Sequence, residues 1–152
     1  ARGLNRRSIE RHYTAVVKGI VAETRDTIDL PISRVPDHPV KREVSPEGQV
    51  AITHFEVVRH WAHATLLAVW LETGRTHQIR VHLSHIGHPL LGDHLYTSDG
   101  EGETADPYPL IGRQALHAGL LRLIHPRDGN RIELMAPLPA DMRELVEALD
   151  RG

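Results

Sequence analysis

The sequence contains no cysteine, and this absence removes several kinds of chemistry at once. Without thiols the chain has no disulfide framework, no thiolate metal site and no cysteine nucleophile. Long apolar runs are also missing, since none approaches the roughly 20 residues that a membrane-spanning helix needs. The sequence therefore indicates a globular protein of a reducing compartment, and we expect a cytoplasmic location and no membrane partner.

An excess of positive charge is absent too. The formal net charge of the 152 residues is -2, so a nucleic-acid partner would have to bind a local basic patch. One basic cluster opens the chain and consists of Arg2, Arg6, Arg7 and Arg11. Such a cluster is either a nucleic-acid contact or a solvated basic terminus, and charge alone does not distinguish the two.

Histidine is abundant whereas phenylalanine is scarce, with 12 histidines and one phenylalanine. His82 and His85 are three residues apart on a predicted helix, with His88 and His94 beyond it, which raises the question of a zinc site. The run lacks the H-E-x-x-H pattern, and His88 follows the predicted helix end. Dispersed or hydrogen-bonded histidines are the favoured interpretation. The sequence also lacks the G-x-S-x-G and phosphate-loop motifs.

Hydrophobic periodicity predicts a mixed α+β domain with a mainly antiparallel sheet. The predicted strands are 12–21, 51–60, 63–72 and 115–126, and the second and third form a hairpin because only two residues separate them. Residues 33–50 and 97–112 are predicted loops. One helix is predicted to begin at a Thr76 cap, with Ile79, Leu83 and Ile86 at helical spacing, and a second to place Met142, Leu145 and Leu149 on one face.

The densest polar segment, residues 74–82, joins an apolar strand to the first predicted helix. A helix N-terminus offers free N–H groups and a partial positive charge, and arginine forks match carboxylates and phosphates. Gly74 permits a tight turn, and Arg75 and Arg80 supply the forks. This pattern indicates an anion site, although the residues alone are equally compatible with unrelated surface ion pairs.

The segment GRTHQIRVHLSHIGHPLLGDHLY at 74–96 closely resembles the signature of the RluA/RluD-type RNA pseudouridine synthases. The resemblance extends, in the expected order, to RSIERHYTAVVKG, AITHFEVV, RQALHAGLLRLIHP and MAPLPADMRELVEAL. Together these stretches cover the chain from about Arg7 to Leu149. The resemblance implies an α+β catalytic-domain fold and an isomerase that converts uridine to pseudouridine in RNA.

The resemblance also implies how that reaction proceeds. Neither a cofactor nor a metal is expected, and the target base must leave its stack to reach the pocket. Tyr13 matches the tyrosine that packs on the target base, and such stacking contributes about 1–3 kcal/mol. Arg80 matches the basic residue that pairs with the catalytic aspartate and keeps it ionised.

Further contacts with RNA are extrapolated from the same resemblance. Arg75, His77 and Gln78 are predicted pocket and phosphate contacts, and His117 is a further predicted RNA contact. The expected partner is RNA, with ribosomal RNA favoured over transfer RNA, and the protein is expected to be a monomer.

The aspartate motif that the family carries before the tyrosine strand has no match in this sequence. No aspartate precedes Tyr13, and the chain begins at Ala1. We therefore expect residues 1–152 to be the C-terminal portion of a synthase catalytic domain, inactive alone, in which a buried Arg80 would carry an uncompensated charge unless water or an anion enters. The alternatives are a degenerate RNA-binding module of the same fold and, last, a histidine-based metal protein.

Overall fold

The computed structural model describes residues 9–97 and 111–152, and this part of the chain forms a six-stranded sheet, a two-stranded sheet and two helices. In chain order the elements are β1 (Ile9–Lys18), β2 (Arg25–Asp29), β3 (Ile32–Arg34), β4 (Arg42–Val44), β5 (Ile52–His60), β6 (Ala64–Leu71), α1 (Gln78–His85), β7 (Leu116–Ile124), β8 (Arg131–Met135) and α2 (Ala140–Asp150). Neither of these helices is long and apolar enough to cross a membrane.

The large sheet has the strand order β2-β5-β6-β1-β7-β8, and each neighbouring pair is antiparallel. This confirms the predicted α+β class with a mainly antiparallel sheet. It also confirms the β5–β6 hairpin, in which Phe55 lies opposite Val69. The chain positions β1 at the centre of the sheet, between β6 and β7.

The two helices cover opposite faces of the large sheet because side chains alternate along each strand. Ala15 and Val17 of β1 belong to the same buried cluster as Ile79 and Leu83 of α1. Val16, which points to the other face, packs in a second cluster with Met142, Leu145 and Leu149 of α2. Alternation in β1 therefore places α1 on one side of the sheet and α2 on the other.

Two local predictions were wrong. Part of the predicted loop 33–50 forms the small β3–β4 sheet, and its prolines flank those three-residue strands instead of entering them. Thr76 does not cap α1, because the helix begins one residue later with His77 in the N-cap position at φ 57°. Within the predicted loop 97–112, residues 98–110 lie outside the described part of the chain.

Candidate active site

Arg80 forms the most enclosed ion pair of the described residues. Its Nε donates to Asp93 Oδ2 and its Nη2 donates to Asp93 Oδ1, each at 2.9 Å. The Asp93 side chain is 1% exposed and that of Arg80 is 15% exposed. Such parallel bonds fix the plane of a guanidinium as well as its position. Asp93 compensates the charge of Arg80, so the uncompensated charge that burial without a partner would leave does not arise.

The carboxylate of Asp93 is itself held by its own loop. Its Oδ1 also accepts hydrogen bonds from the backbone N–H groups of Leu95 and Tyr96, both at 3.0 Å. Burial alone would raise the pKa of Asp93, but the hydrogen bonds from Arg80 and from these two N–H groups outweigh it and lower the pKa. Asp93 is therefore a carboxylate at neutral pH, and the hydrogen bond to it raises the pKa of Arg80.

The loop reaches this position because of Gly92. Its φ is +74°, and a Cβ at this residue would lie 2.1 Å from the carbonyl oxygen of Arg113. A residue with a side chain would therefore meet both backbone strain and a collision. Glycine allows the chain to turn closely against the segment before β7 and then to present Asp93 to α1.

Tyr96 supports Arg80 from a second direction. The Cζ atom of Arg80 lies 5.0 Å from the centroid of the Tyr96 ring, within the range of a cation–π contact. The Tyr96 hydroxyl accepts a hydrogen bond from the backbone N–H of Arg42 at 3.0 Å and lies 2.7 Å from His77 Nδ1. Since its own proton is free, this hydroxyl is suited to donate to a neutral His77 ring.

His77 connects the start of α1 to this arrangement. Burial lowers the pKa of His77, and the positive charges of Arg80 and Arg42 lower it further, with Asp93 opposing them. A neutral ring that accepts from Tyr96 at Nδ1 carries its proton on Nε2. His77 therefore has one nitrogen committed to Tyr96 and is only partly buried, which fits its predicted place at the edge of a pocket.

The hydrogen bonds of the Gln78 side chain argue against the RNA contact that we predicted for it. Its side-chain oxygen accepts from Thr73 Oγ1 and from the backbone N–H of Arg75, and its Nε2 donates to the Ile52 carbonyl and to Thr53 Oγ1. All four hydrogen-bonding positions of the amide are thus used within the protein, and the residue is 2% exposed. Gln78 therefore positions the turn before α1, and its side-chain amide is already saturated with hydrogen bonds.

Tyr13 lies on the face of the sheet that α1 covers. It is partly buried and packs against the cluster that contains Ile79, the neighbour of Arg80 on α1. Arg11, two residues earlier on the same face of β1, approaches the turn before the helix, since a Cβ at Gly74 would lie 3.0 Å from Arg11 Nη1. The fold thus gathers these two β1 side chains and the start of α1 on one side of the sheet.

Arg75 and His117 have different surroundings. The Nε of Arg75 donates to the Val50 carbonyl at 2.8 Å, which leaves its terminal nitrogens at a surface cavity. His117 lies opposite Thr14 in the register of β1 and β7, so it points to the α2 face, away from Tyr13. Its Nε2 lies 2.9 Å from the Ala136 carbonyl, a contact that ties the end of β8 to β7. His117 is therefore separated from the candidate site by the sheet.

The histidines that raised the question of zinc have structural surroundings. His82 is fully buried, with Nδ1 2.7 Å from Thr53 Oγ1 and Nε2 2.8 Å from the Leu30 carbonyl. His88 Nδ1 lies 2.9 Å from the Lys18 carbonyl. Within 9–97 and 111–152 no three histidine or acidic side chains come close enough together to hold a metal ion.

Comparison with known proteins agrees with the signature at 74–96. A family model described as RNA pseudouridylate synthase matches residues 1–85. The chain belongs to the RNA pseudouridylate synthase family. An uncharacterized RNA pseudouridine synthase of Bacillus subtilis, YjbO, is 48% identical over 139 residues, which are 91% of this chain and 46% of the relative. The ribosomal large subunit pseudouridine synthase D of Escherichia coli K12 is 45% identical over 155 residues, covering 96% of this chain and 46% of the relative.

Solved structures of the same family share the fold. The human RNA pseudouridylate synthase domain containing 1 has a TM-score of 0.72 at 28% identity, covering 96% of this chain and 67% of that one. The human domain containing 4 has a TM-score of 0.74 at 25% identity, covering 95% and 63%. The chain spans about half the length of the bacterial relatives that it matches.

Two residues of the pseudouridylate synthase signature had no predicted role, although they lie inside the quoted segment. Asp93 and Tyr96 end the stretch GHPLLGDHLY, 13 and 16 residues after Arg80. Sequence spacing alone does not predict that these residues contact α1, because the chain turns away from the helix at Gly87 and then forms a bridge to β1 at Leu90. The available signal was an aspartate among apolar residues and glycine, because an acid in such a context is buried only when it has a partner.

Proposed function

We propose that this chain is the C-terminal portion of the catalytic domain of an RNA pseudouridine synthase, with ribosomal RNA as the favoured substrate and transfer RNA as the second. In that reaction the C1′–N1 bond of uridine breaks, the base turns and a C1′–C5 bond forms. C5 loses its proton and N1 gains one, so the two nucleosides have the same composition. Family membership supports this reaction, and an RNA substrate of this kind is consistent with action in the cytoplasm.

The guanidinium of Arg80 is the observation that carries the proposal. Asp93 uses two of its five N–H donors, and the remaining three have no protein acceptor among residues 9–97 and 111–152. A fixed, permanently charged fork with free donors is suited to hold a second carboxylate ionised. We propose that this carboxylate is an aspartate of the full-length protein outside this chain, because no aspartate precedes Tyr13 here.

Tyr13 and His77 are the proposed side chains next to the target base. Tyr13 presents a partly exposed ring on the α1 side of the sheet, where a flipped uracil could stack on it. His77 is held by Tyr96 and keeps Nε2–H as a donor for a base or phosphate oxygen. Arg75, with its Nε bound to Val50, is a proposed phosphate contact.

Release of tritium from RNA labelled at C5 of uridine tests the function directly, because that hydrogen leaves only when the C1′–C5 bond forms. The full-length natural protein should release tritium from ribosomal RNA transcribed in vitro. Arg80→Gln should abolish release, and Arg143→Gln, which changes an exposed arginine of α2, should not alter it.

The outcomes separate the proposal from its alternative. Tritium release by the Arg80→Gln protein at the natural rate would remove the role given to Arg80. A full-length protein that binds ribosomal and transfer RNA yet releases no tritium from either would favour a catalytically degenerate RNA-binding module of the same fold.

A further inference from the structure

The β3–β4 hairpin brings two positive charges directly opposite each other. Arg34 and Arg42 are partners in its antiparallel register. Like charges at such positions destabilise a sheet, because their side chains lie on the same face a few ångströms apart. Within the described ranges neither arginine has a carboxylate within ion-pair distance. A two-stranded sheet of three-residue strands has little other stabilisation, so this pairing calls for a functional explanation.

Both arginines line a cavity of about 370 Å³ on the surface of the protein. Arg75 and Thr76, from the turn before α1, line its other side. The Nε of Arg75 is bound to the Val50 carbonyl, so the terminal nitrogens remain for a ligand. Three arginines, two from the hairpin and one from the turn before α1, therefore line one concave surface.

Among residues 9–97 and 111–152, one acidic side chain lines the same cavity. Glu47 Oε2 accepts a hydrogen bond from Ser45 Oγ at 3.0 Å, which fixes its carboxylate in its own turn. Three arginines against one glutamate give a local charge of about +2, whereas the whole chain carries -2. The cavity is therefore a local basic site of the kind that net charge did not reveal.

The backbone at the bottom of the cavity requires glycine. A Cβ at Gly48 would lie 2.5 Å from the carbonyl carbon of Ile32. This close approach is maintained by the two hydrogen bonds that Ile32 and Gln49 exchange, at 2.9 and 2.8 Å. The segment 45–49 is thus fixed against β3, and the concave shape belongs to the folded backbone.

The cavity is connected to the candidate active site through Arg42. The backbone N–H of Arg42 donates to the Tyr96 hydroxyl, and the Tyr96 ring lies against Arg80. The charge of Arg42 also contributes to the lowered pKa of His77. A chain of nucleotides that places one base near Arg80 would therefore have its neighbouring backbone close to these arginines.

We infer that Arg34, Arg42 and Arg75 form a binding site for the phosphate groups of the RNA strand that flanks the target uridine. The inference rests on the proposed function for the identity of the strand. Arginine forks bind phosphate oxygens in pairs, and a bound phosphate removes the repulsion between Arg34 and Arg42. The site fixes the strand and does not read its sequence, because phosphates are the same at every nucleotide.

The salt dependence of RNA binding tests this site. The full-length natural protein is titrated with a fluorescently labelled single-stranded RNA that contains uridine, at several salt concentrations. Each phosphate contact on a single strand contributes about 0.7 to the slope of log K against log salt concentration. The combined variant Arg34→Gln, Arg42→Gln and Arg75→Gln should therefore have a slope shallower by about 2, and replacement of all three by lysine should retain most of it.

Two controls keep the result interpretable. Arg143→Gln removes an exposed arginine on the opposite side of the sheet and should leave the slope as it is. Arg34→Gln alone changes an exposed side chain, so it tests the site even if the triple variant does not fold, with an expected change of about 0.7. An unchanged slope in a folded triple variant, or in Arg34→Gln, would overturn the inference.

Tritium release by the natural protein distinguishes failure of the site from failure of the function. Release together with an unchanged slope in the variants would leave the synthase function standing and reject the phosphate site. No release together with a shallower slope would reject the function, while the arginines would remain an RNA phosphate site.

Discussion

Replacing Asp93 with asparagine tests whether one buried carboxylate fixes Arg80. The introduced amide keeps an oxygen for the N–H groups of Leu95 and Tyr96, but it loses the charge and places an NH₂ group where Arg80 Nε now donates. Breaking a buried ion pair by removing one partner costs about 3–5 kcal/mol, because the other charge stays buried. Since Arg80 is 15% exposed, water reaches it in part, and we expect a loss of about 3 kcal/mol.

Urea unfolding measures this loss. The midpoint should shift while the slope of the free energy against urea concentration stays constant, because the variant changes one contact and not the surface exposed on unfolding. A double-mutant cycle with Arg80→Gln isolates the pair, and we expect a coupling energy of about 2 kcal/mol or more. A loss below about 1 kcal/mol for Asp93→Asn, or additive effects in the cycle, would refute the reasoning.

The pH dependence of the same difference provides a second check. The pKa of Asp93 is lowered in the folded protein, so its contribution to stability is complete above its unfolded pKa of about 3.9 and is lost as the pH falls through the lower folded value. The difference between the natural protein and Asp93→Asn should therefore stay constant from neutral pH to about pH 5. A difference that disappears between about pH 7 and pH 5 would assign the effect to another group.

Three further changes test the supports of the site. His82→Gln should be less stable than the natural protein at about pH 8. Because burial lowers the pKa of His82, only the natural protein loses stability below about pH 6.5, so the difference in unfolding free energy should become smaller there. Stability curves that stay parallel over this pH range would contradict the prediction. Gly92→Ala should cost more than about 2 kcal/mol in thermal unfolding because of its φ and the approach to Arg113, whereas Gly112→Ala, with open space around it, should have a small effect. Gln78→Glu should lower the free energy of unfolding by about 1–3 kcal/mol at neutral pH, because a carboxylate oxygen would replace the donor that now faces the Ile52 carbonyl. An unchanged urea midpoint would contradict the structural role of Gln78.

Periodicity predicted four strands of the large sheet and the β5–β6 hairpin because these signals are local, whereas the pairing of β1 with β6 and β7 joins distant residues and was not predicted. Alternation along β5 and the two-residue connection to β6 needed only neighbouring residues. The same reasoning failed for β3 and β4, since three-residue strands are too short to display a period. It also failed at Thr76, where a left-handed His77, tied to Tyr96, starts the helix instead of a side-chain cap.

The candidate site was predictable to the extent that one segment carries it. Arg75, His77 and Arg80 all fall within the turn and first helix of the signature, and α1 covers the face of the sheet that carries Tyr13. The role of Asp93 was missed because its ion pair with Arg80 forms only when the loop after α1 folds back against the helix, and no local sequence pattern predicts that path. The burial of Gln78 was missed for a related reason, because a polar residue between two arginines resembles a surface contact.

The two groups of arginines differ in a way that matches two different tasks. Arg80 is held at two nitrogens by a buried acid and lies against an aromatic ring, so its orientation is fixed before any substrate arrives. A group that must stabilise charge at a reacting centre benefits from such preorganisation, since no reorganisation is then needed during the reaction. Arg34 and Arg42 have no such partner among residues 9–97 and 111–152 and repel each other across a small hairpin. Side chains of that kind are suited to a flexible polyanion, whose phosphates they can meet in more than one position. The same residue type thus serves to orient charge where a buried acid holds it, and to bind phosphate where no acid pairs with it.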